Sequence, residues 1–190
     1  NNVTGDSTIS ASFAINTYTI TATSGANGSV TPSGVTTVNC GGSQSYTITA
    51  NACYHIADVL VNGVSVGAVS NYTFNNVTGD STISASFAID TYTITATAGA
   101  NGTITPGTGL VNCGSNNTYT ITADPCYHIA DVLVNGVSVG AVSTYTFNNV
   151  TGDSTISASF AIDTYTITAS AGANGSVTPA GVTTLNCGAS

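Results

Sequence analysis

The sequence contains no lysine and no arginine, and its eight acidic residues are all aspartate, so its formal net charge is −8. A chain without basic side chains cannot neutralise a phosphate backbone or an anionic lipid surface. Nucleic acid and acidic membranes are therefore excluded as partners. Only 4% of the residues are charged but 42% are hydrophobic, which is not the composition of a disordered chain.

The sequence repeats itself along its whole length. The letters NNVTGDSTISASFA begin at Asn1, Asn75 and Asn148, which gives periods of 74 and 73 residues. Such a period predicts one structural unit per repeat. The sequence opens and closes inside a repeat, so we expect it to be a window on a longer array. No stretch approaches the ~20 consecutive apolar residues of a membrane span, so no membrane insertion is expected.

Apolar and polar residues alternate strictly in each repeat, as in TYTITA, where Tyr18, Ile20 and Ala22 alternate with threonine. This period of two predicts β-strands in small antiparallel sheets, and no window has helical spacing. Asn27–Gly28 and Asn62–Gly63 predict hairpin turns. We predict an all-β fold of sandwich-like units of about 73 residues. About seven short strands per unit are expected, near residues 18–24, 28–32, 35–39, 45–51, 55–61, 64–68 and 81–89, with 72–74 as a further candidate.

The buried face changes sides where one repeat ends. The inward residues of STISASFAI are odd-numbered, as at Ile83, whereas those of the following TYTITA are even-numbered, as at Ile94. A shift of one residue exchanges the two faces of a strand, so one strand cannot serve one core with both halves. The predicted junction residues are Asn16, Asp90 and Asp163. The predicted domains are the C-terminal strand of a preceding repeat at 1–16, complete repeats at 17–90 and 91–163, and the N-terminal part of a further repeat at 164–190.

Several motifs recur in one order in this sequence: YTITA, GxVTPxG, a strand ending in VN, a second YTITA, YHIADVLVNGVSVG, and YTFNNVTGDSTISASFA. This set resembles the divergent internalin B-type repeat, which occurs in tandem in bacterial surface and secreted proteins. The resemblance covers the whole chain. It implies a stalk, spacer or adhesin arm at the cell surface or outside the cell more than any one activity.

The cysteines depart from the family pattern. An aromatic residue is common at the position of Cys40 and a glycine at the position of Cys53, and because the departures are paired we expect these two to be bonded. The segment between them has room for a turn and one returning strand. The predicted disulfides are Cys40–Cys53, Cys113–Cys126, and Cys187 with a cysteine beyond Ser190. Free thiols and bonds between repeats, such as Cys53 to Cys113, are the alternatives. Disulfides would place the protein outside the cytoplasm.

Metal binding and catalysis are rival interpretations of the same residues. His55 and His128 each lie two residues after a cysteine, but two cysteines and one histidine without CxxC spacing do not form a structural zinc site. No metal site and no cofactor are predicted. Calcium at the junction aspartates is the alternative, because tandem extracellular modules use oxygen ligands in this way. Catalysis would need a nucleophile and a second acid within reach, so we expect no enzyme.

The sequence therefore predicts an extracellular array of disulfide-stapled units with a structural role. Edge strands rich in threonine, isoleucine and tyrosine carry no lysine to block strand pairing, so the expected partners are copies of the chain itself, in a filament or bundle. The alternative is an adhesin-type module that binds a glycan through hydroxyl-rich strand faces such as Thr17, Thr19 and Thr21.

Overall fold

A computed structural model of the chain describes residues 2–189. These residues form eighteen β-strands and no helix, so the all-β prediction is confirmed. In the described part of the chain there is accordingly no helix that is long and apolar enough to cross a membrane.

The chain divides into two compact units, Asn1–Ile89 and Asp90–Ser190. The strands of the first unit are β1 Thr17–Ser24, β2 Gly28–Thr31, β3 Gly34–Asn39, β4 Gln44–Ala50, β5 Tyr54–Val61, β6 Val64–Gly67, β7 Asn71–Phe74 and β8 Ser81–Ile89. The strands of the second unit are β9 Thr91–Ala98, β10 Gly102–Thr105, β11 Gly109–Asn112, β12 Asn117–Ala123, β13 Tyr127–Val134, β14 Val137–Gly140, β15 Thr144–Phe147, β16 Ser154–Ile162, β17 Thr164–Ala169 and β18 Gly181–Asn186. A complete repeat thus has eight strands, and the candidate strand at 72–74 is β7.

Each complete repeat consists of two sheets around one core. In the first unit a five-stranded sheet has the order β3-β1-β8-β5-β6 and a three-stranded sheet the order β2-β4-β7. The second unit repeats this arrangement with β11-β9-β16-β13-β14 and β10-β12-β15. The remaining strands, β17 and β18, form a two-stranded sheet.

The five-stranded sheets are mixed and the three-stranded sheets are antiparallel, so the prediction of antiparallel sheets is wrong for one strand pair in each repeat. The first strand pairs in parallel with the last, β1 with β8 and β9 with β16. Parallel pairing needs a long crossover connection, and here the rest of the repeat provides it. A carboxylate fixes the pairing at its start, because Asp80 Oδ1 accepts a hydrogen bond of 2.7 Å from the Thr19 N–H. Asp153 and Thr93 repeat this contact in the second unit.

Alternation along the strands fills the core from both sheets. In the first unit Ile20, Val59 and Ile83 point inward from the larger sheet, and Tyr46 and Ile48 from the smaller one, and each is at most 2% exposed. The second unit uses the equivalent letters. Its most buried core side chains are Ile94, Tyr119, Ile121, Val132 and Ile156.

Aromatic rings close the core beside two glycines. A Cβ atom at Gly28 would collide with the ring of Phe87, and one at Gly102 would collide with the ring of Phe160. Both glycines open a strand directly after an asparagine with a positive φ, Asn27 and Asn101. The absent side chain at this position is therefore required by packing against the ring.

The two ends of the described chain lack this packing. Residues 2–16 are exposed and carry no strand, although Ser7–Ile15 has the same nine letters as β8 and β16. At the other end, the side chains of Tyr165 on β17 and Ile167 on the same strand are 60% and 56% exposed.

The buried tyrosines Tyr46 and Tyr119 occupy equivalent positions but differ in hydrogen bonding. Asn117 Nδ2 donates a bond of 3.3 Å to the Tyr119 hydroxyl, whereas the equivalent Gln44 donates to the Ser45 carbonyl at 2.9 Å. Within residues 2–189 the buried Tyr46 hydroxyl therefore has no partner. Burial raises the pKa of Tyr119, and the hydrogen bond from Asn117 lowers it in part.

Substitution of Gly28 by alanine is expected to destabilise the first unit by about 1–3 kcal/mol, because the new methyl group must displace the Phe87 ring. The measurement is the midpoint of urea unfolding. Gly79→Ala is the matched control, since a Cβ there meets no atom within 4 Å. Equal midpoints for the two variants would show that the ring does not need this space.

Removal of the tyrosine hydroxyls is expected to have opposite effects in the two repeats. Tyr119→Phe should cost about 0.5–1.5 kcal/mol because it breaks a hydrogen bond, whereas Tyr46→Phe should be neutral or stabilising because its hydroxyl is buried unpaired. Urea unfolding at neutral pH measures both. A larger loss for Tyr46→Phe would contradict the assignment.

The Tyr119 difference should also depend on pH. Because the folded-state pKa of Tyr119 is raised, its contribution is fully present below the unfolded pKa of about 10 and is lost as the pH rises through the folded pKa. The stability difference between the wild type and Tyr119→Phe should therefore shrink above about pH 10.

Candidate functional site: the repeat junction

The junction at Asp163 is one residue long. β16 ends at Ile162 and β17 begins at Thr164, so only Asp163 lies between two strands that belong to successive repeats. The alternation of apolar residues changes phase across Asp163, from even numbers on β16 to odd numbers on β17. Ile156 on β16 is fully buried in the core of the complete repeat, whereas Ile167 on β17 is 56% exposed.

The backbone of Asp163 holds two other segments at once. Its N–H donates to the Cys126 carbonyl at 2.8 Å, and its carbonyl accepts from the Cys187 N–H at 2.8 Å. In an extended strand the N–H and C=O of one residue point to the same edge, and in an antiparallel pair both normally bond one partner residue. Here they bond two, so Cys126 and Cys187 meet at the same edge of Asp163.

Cys126 and Cys187 form a disulfide, with their Cα atoms 5.5 Å apart. This separation lies in the usual range for a disulfide. The bond links a cysteine of the complete repeat to a cysteine of the partial repeat that follows it. The junction is thus closed covalently as well as by hydrogen bonds.

The predicted pairing within repeats is wrong. Cys126 bonds Cys187 and not Cys113, the partner of Cys187 does not lie beyond Ser190, and Cys40 is a free, exposed thiol that does not bond Cys53. Cys53 and Cys113 are also disulfide-bonded.

Strand direction explains why the two cysteines of one repeat cannot meet. The Cys113 N–H donates to the carbonyl of Asp90, so Cys113 lies at the start of its repeat, whereas Cys126 lies at the end, beside Asp163. Ser154 pairs in parallel with Ile94, so β16 runs away from Asp90. At ~3.3 Å per residue the two junction residues are roughly 40 Å apart along the strand direction, far beyond the reach of a disulfide.

The backbone conformation of the second cysteine fits the family pattern. Cys53 and Cys126 have φ angles of 67° and 69°, in the left-handed region that favours glycine. This explains why a glycine is common at the position. A cysteine there costs about 1–2 kcal/mol of backbone strain. The disulfide, which closes a loop with a sequence separation of 61, offsets this strain. By restricting the unfolded chain it stabilises the fold by about 4 kcal/mol in the chain-entropy account.

The first cysteine of each repeat makes the same contact at every junction. Cys40 donates its N–H to the carbonyl of Asn16 at 2.8 Å, as Cys113 does to Asp90 and Cys187 to Asp163. Because the contact uses only the backbone of the junction residue, asparagine serves as well as aspartate. The arrangement therefore does not depend on a junction carboxylate or on a cation bound to it.

The carboxylate of Asp163 instead contacts a histidine. Its Oδ1 lies 2.8 Å from His128 Nδ1, with side chains 34% and 57% exposed. This is an ion pair only when the imidazole is protonated, and its exposure limits its contribution. Across residues 2–189, no three histidine, cysteine or acidic side chains cluster in a way that could hold a metal ion.

The predicted hydroxyl-rich faces are partly engaged within the protein. Thr17 is exposed, but Thr19 and Thr21 are half-buried. On the smaller sheets hydroxyls bond across strands at 2.8 Å, Ser45 with Thr73 and Thr118 with Thr146. Asp58 and Asp131 each lie at a β-bulge in their strand. Asp58 accepts a hydrogen bond from the Ser65 hydroxyl in the next strand, and Asp131 accepts one from the Ser138 hydroxyl.

Comparison with known proteins identifies the repeats. A sequence model of the divergent InlB B-repeat domain matches the chain twice, at residues 18–91 and 92–164. The two matches cover more than half of the chain, and the sequence resemblance is confirmed. Searches of curated proteins and of solved structures each find no significant match.

Disulfide mapping should find the bond between repeats. The chain has no trypsin sites, so the denatured, unreduced protein is cleaved before aspartate, which gives peptides that begin at Asp124 and Asp163. These two peptides should stay linked through Cys126 and Cys187, and iodoacetamide should label Cys40 alone. A label on Cys126 or Cys187, or a bond from Cys126 to Cys113, would contradict the geometry of the junction.

Proposed function

We propose that this chain, which belongs to the divergent InlB B-repeat family, is a structural extracellular repeat array that forms a stiff, disulfide-stapled stalk. The observation that carries the proposal is the junction at Asp163. There the next repeat begins without a linker, its first cysteine is hydrogen-bonded to the junction residue, and a disulfide locks it to the preceding repeat.

This junction is suited to bear load. A peptide linker lets neighbouring domains rotate about freely turning bonds, and its length grows only as the square root of the number of residues. At Asp163 two backbone hydrogen bonds and one covalent bond oppose rotation, in addition to the main chain. Stiffness at each repeat is the property that a stalk or spacer requires.

The disulfides also support a location outside the cytoplasm. Cys126 and Cys187 are joined, and Cys53 and Cys113 are bonded too. Such bonds form and persist in oxidising compartments and are rare in the cytosol. A surface-repeat family and stable disulfides both fit an extracellular or cell-surface role.

Glycan binding has less support. Exposed aromatic rings would be the expected platform for a sugar, but the most exposed aromatic side chains, Phe13 at 95% and Tyr165 at 60%, lie outside the complete repeats. The bonded hydroxyl pairs on the smaller sheets also have less capacity for a ligand. We therefore place the adhesin role second. A stalk would carry a binding domain to its target and would not itself bind the glycan.

Small-angle scattering on engineered tandem arrays of two and six repeats tests the stalk. In the oxidised state the maximum dimension should grow in proportion to repeat number, by on the order of 40 Å per repeat, which is the distance between successive junction residues at ~3.3 Å per residue. Serine in place of the cysteines equivalent to Cys126 and Cys187 should reduce that growth.

The matched control is serine at Cys40 of the first repeat of the array alone, because that thiol forms no bond. Arrays with this change should scatter like the unmodified ones. Square-root growth in the oxidised, unmodified arrays would mean that the junction is a hinge, and the stalk proposal would then be wrong.

A further inference from the structure

The cysteines of the complete repeats form their disulfides outside their own repeat. The repeat at 91–163 contains two cysteines, Cys113 and Cys126. Cys126 bonds Cys187 of the following repeat, and Cys113 is disulfide-bonded as well, so its partner also lies outside the repeat. Cys53 of the first complete repeat is disulfide-bonded too, whereas the other cysteine of that repeat is a free thiol. Each of these disulfides therefore leads out of a repeat.

The two bonded cysteines of the second complete repeat lie at its opposite ends. The Cys113 N–H donates to the carbonyl of Asp90, the residue before the first strand, at 2.8 Å. The Cys126 carbonyl accepts from the N–H of Asp163, the residue after the last strand, also at 2.8 Å. A covalent path that enters at one cysteine and leaves at the other therefore crosses the whole length of the repeat. We name Cys113–Cys126 the linking segment.

The linking segment is already close to its full length in the folded repeat. Ser154 lies opposite Ile94 in the parallel strand pair. The first junction residue is four residues before Ile94 and the second is nine residues after Ser154, so the register places the two 13 steps apart. The two cysteines are also 13 residues apart in the sequence. Strands cover roughly 40 Å in that number of steps, and a fully extended chain covers at most about 45 Å, so the segment has little slack.

The strand within the linking segment is β12, and it is firmly held. β9–β11 precede the segment and β13–β16 follow it, so a load that the disulfides carry bypasses these strands. β12 lies in the middle of the three-stranded sheet, between β10 and β15. Its side chains Tyr119 and Ile121 are 0% and 2% exposed. The strand on the covalent path is thus anchored along both edges and in the core.

Force along the linking segment would load the hydrogen bonds of β12 together. β12 pairs antiparallel with β10 through four residue pairs and with β15 through four more. A force parallel to the strand pushes it lengthwise past both neighbours, so the bonds of each ladder must break together and not one after another. The sheet therefore resists the load before the segment straightens.

We propose that the array is a nearly inextensible tether, in which tension passes from disulfide to disulfide through the linking segment of each repeat. This inference rests on the proposed structural role and adds a mechanical one. It extends the pairing of Cys126 with Cys187 to every junction, so that the first cysteine of a repeat bonds the second cysteine of the repeat before it. The backbone contact supports this, because Cys113 and Cys187 donate to their junction residues in the same way.

The disulfides would set an upper limit on the length of a loaded repeat. Without them, the 73 residues from Thr91 to Asp163 would stretch to about 250 Å at ~3.5 Å per residue. With them, the same repeat would reach about 45 Å plus the 5.5 Å between the Cα atoms of one disulfide. The bypassed strands can then leave the core and return to it while the ends of the repeat stay in place.

Single-molecule pulling of chains that carry an insert tests the path. The first insert, of about 20 flexible glycine and serine residues, is placed between Ser115 and Asn116, in the linking segment but outside any strand. It should lengthen the fully stretched, oxidised chain by about 70 Å, at ~3.5 Å per residue. The same insert between Asn135 and Gly136, in the bypassed turn between β13 and β14, should add no length.

A Cys126→Ser background is the matched control. Without the bond from Cys126 to Cys187, the turn between β13 and β14 becomes part of the stretched path. Both inserts should then add about 70 Å. Because covalent bonds set the fully stretched length, the comparison does not require the variants to be equally stable.

Two results would overturn the proposal. The first is an insert between Ser115 and Asn116 that leaves the oxidised length unchanged, because the linking segment would then lie off the path. The second is an insert between Asn135 and Gly136 that lengthens the oxidised chain. The first result leaves the stalk proposal standing, since stiffness is measured on arrays without load. Conversely, arrays that are flexible in scattering but show the expected insert lengths would refute the stalk and retain the tether.

Discussion

The structure depends on one residue whose backbone is shared between two repeats. The N–H of Asp163 bonds Cys126 and its carbonyl bonds Cys187, so a single peptide position ends one unit and begins the next. The disulfide between these cysteines follows from that geometry, because both are already held at the same strand edge. Because no linker separates the two repeats, one residue can hold both cysteines in position for the disulfide.

The mixed topology of the repeat makes this junction possible. Because the first and last strands run parallel, β9 and β16 lead the chain in one direction, and each repeat begins at one end and finishes at the other. An antiparallel return would bring the end of the repeat back towards its start. The carboxylate of Asp153, which accepts from the Thr93 N–H, therefore supports the end-to-end direction of the repeat as well as its sheet.

Local chemistry made the strands, the family and the hairpin at Asn62–Gly63 predictable, because strand alternation and turn preference act within a few residues. The hairpin predicted at Asn27–Gly28 is wrong, because β1 and β2 leave that turn for different sheets. The disulfide partners were not predictable from spacing, since they depend on the direction of strands far apart in sequence. A sequence signal was nevertheless present. If TYTITA pairs antiparallel with VTTLN, the residue before Thr164 lies opposite Cys187, and the pairing of Tyr127 with Ile162 places Cys126 there too.

The most direct test of the stapled junction is the length that the chain releases when single molecules are pulled from their ends. The disulfide joins Cys126 and Cys187 across a sequence separation of 61, and the chain between them cannot extend while the bond is intact. The double variant Cys126→Ser and Cys187→Ser should release about 200 Å more contour length than the wild type, at ~3.5 Å per residue. Equal contour lengths for the two proteins would show that Cys126 and Cys187 are not joined, and would contradict the account.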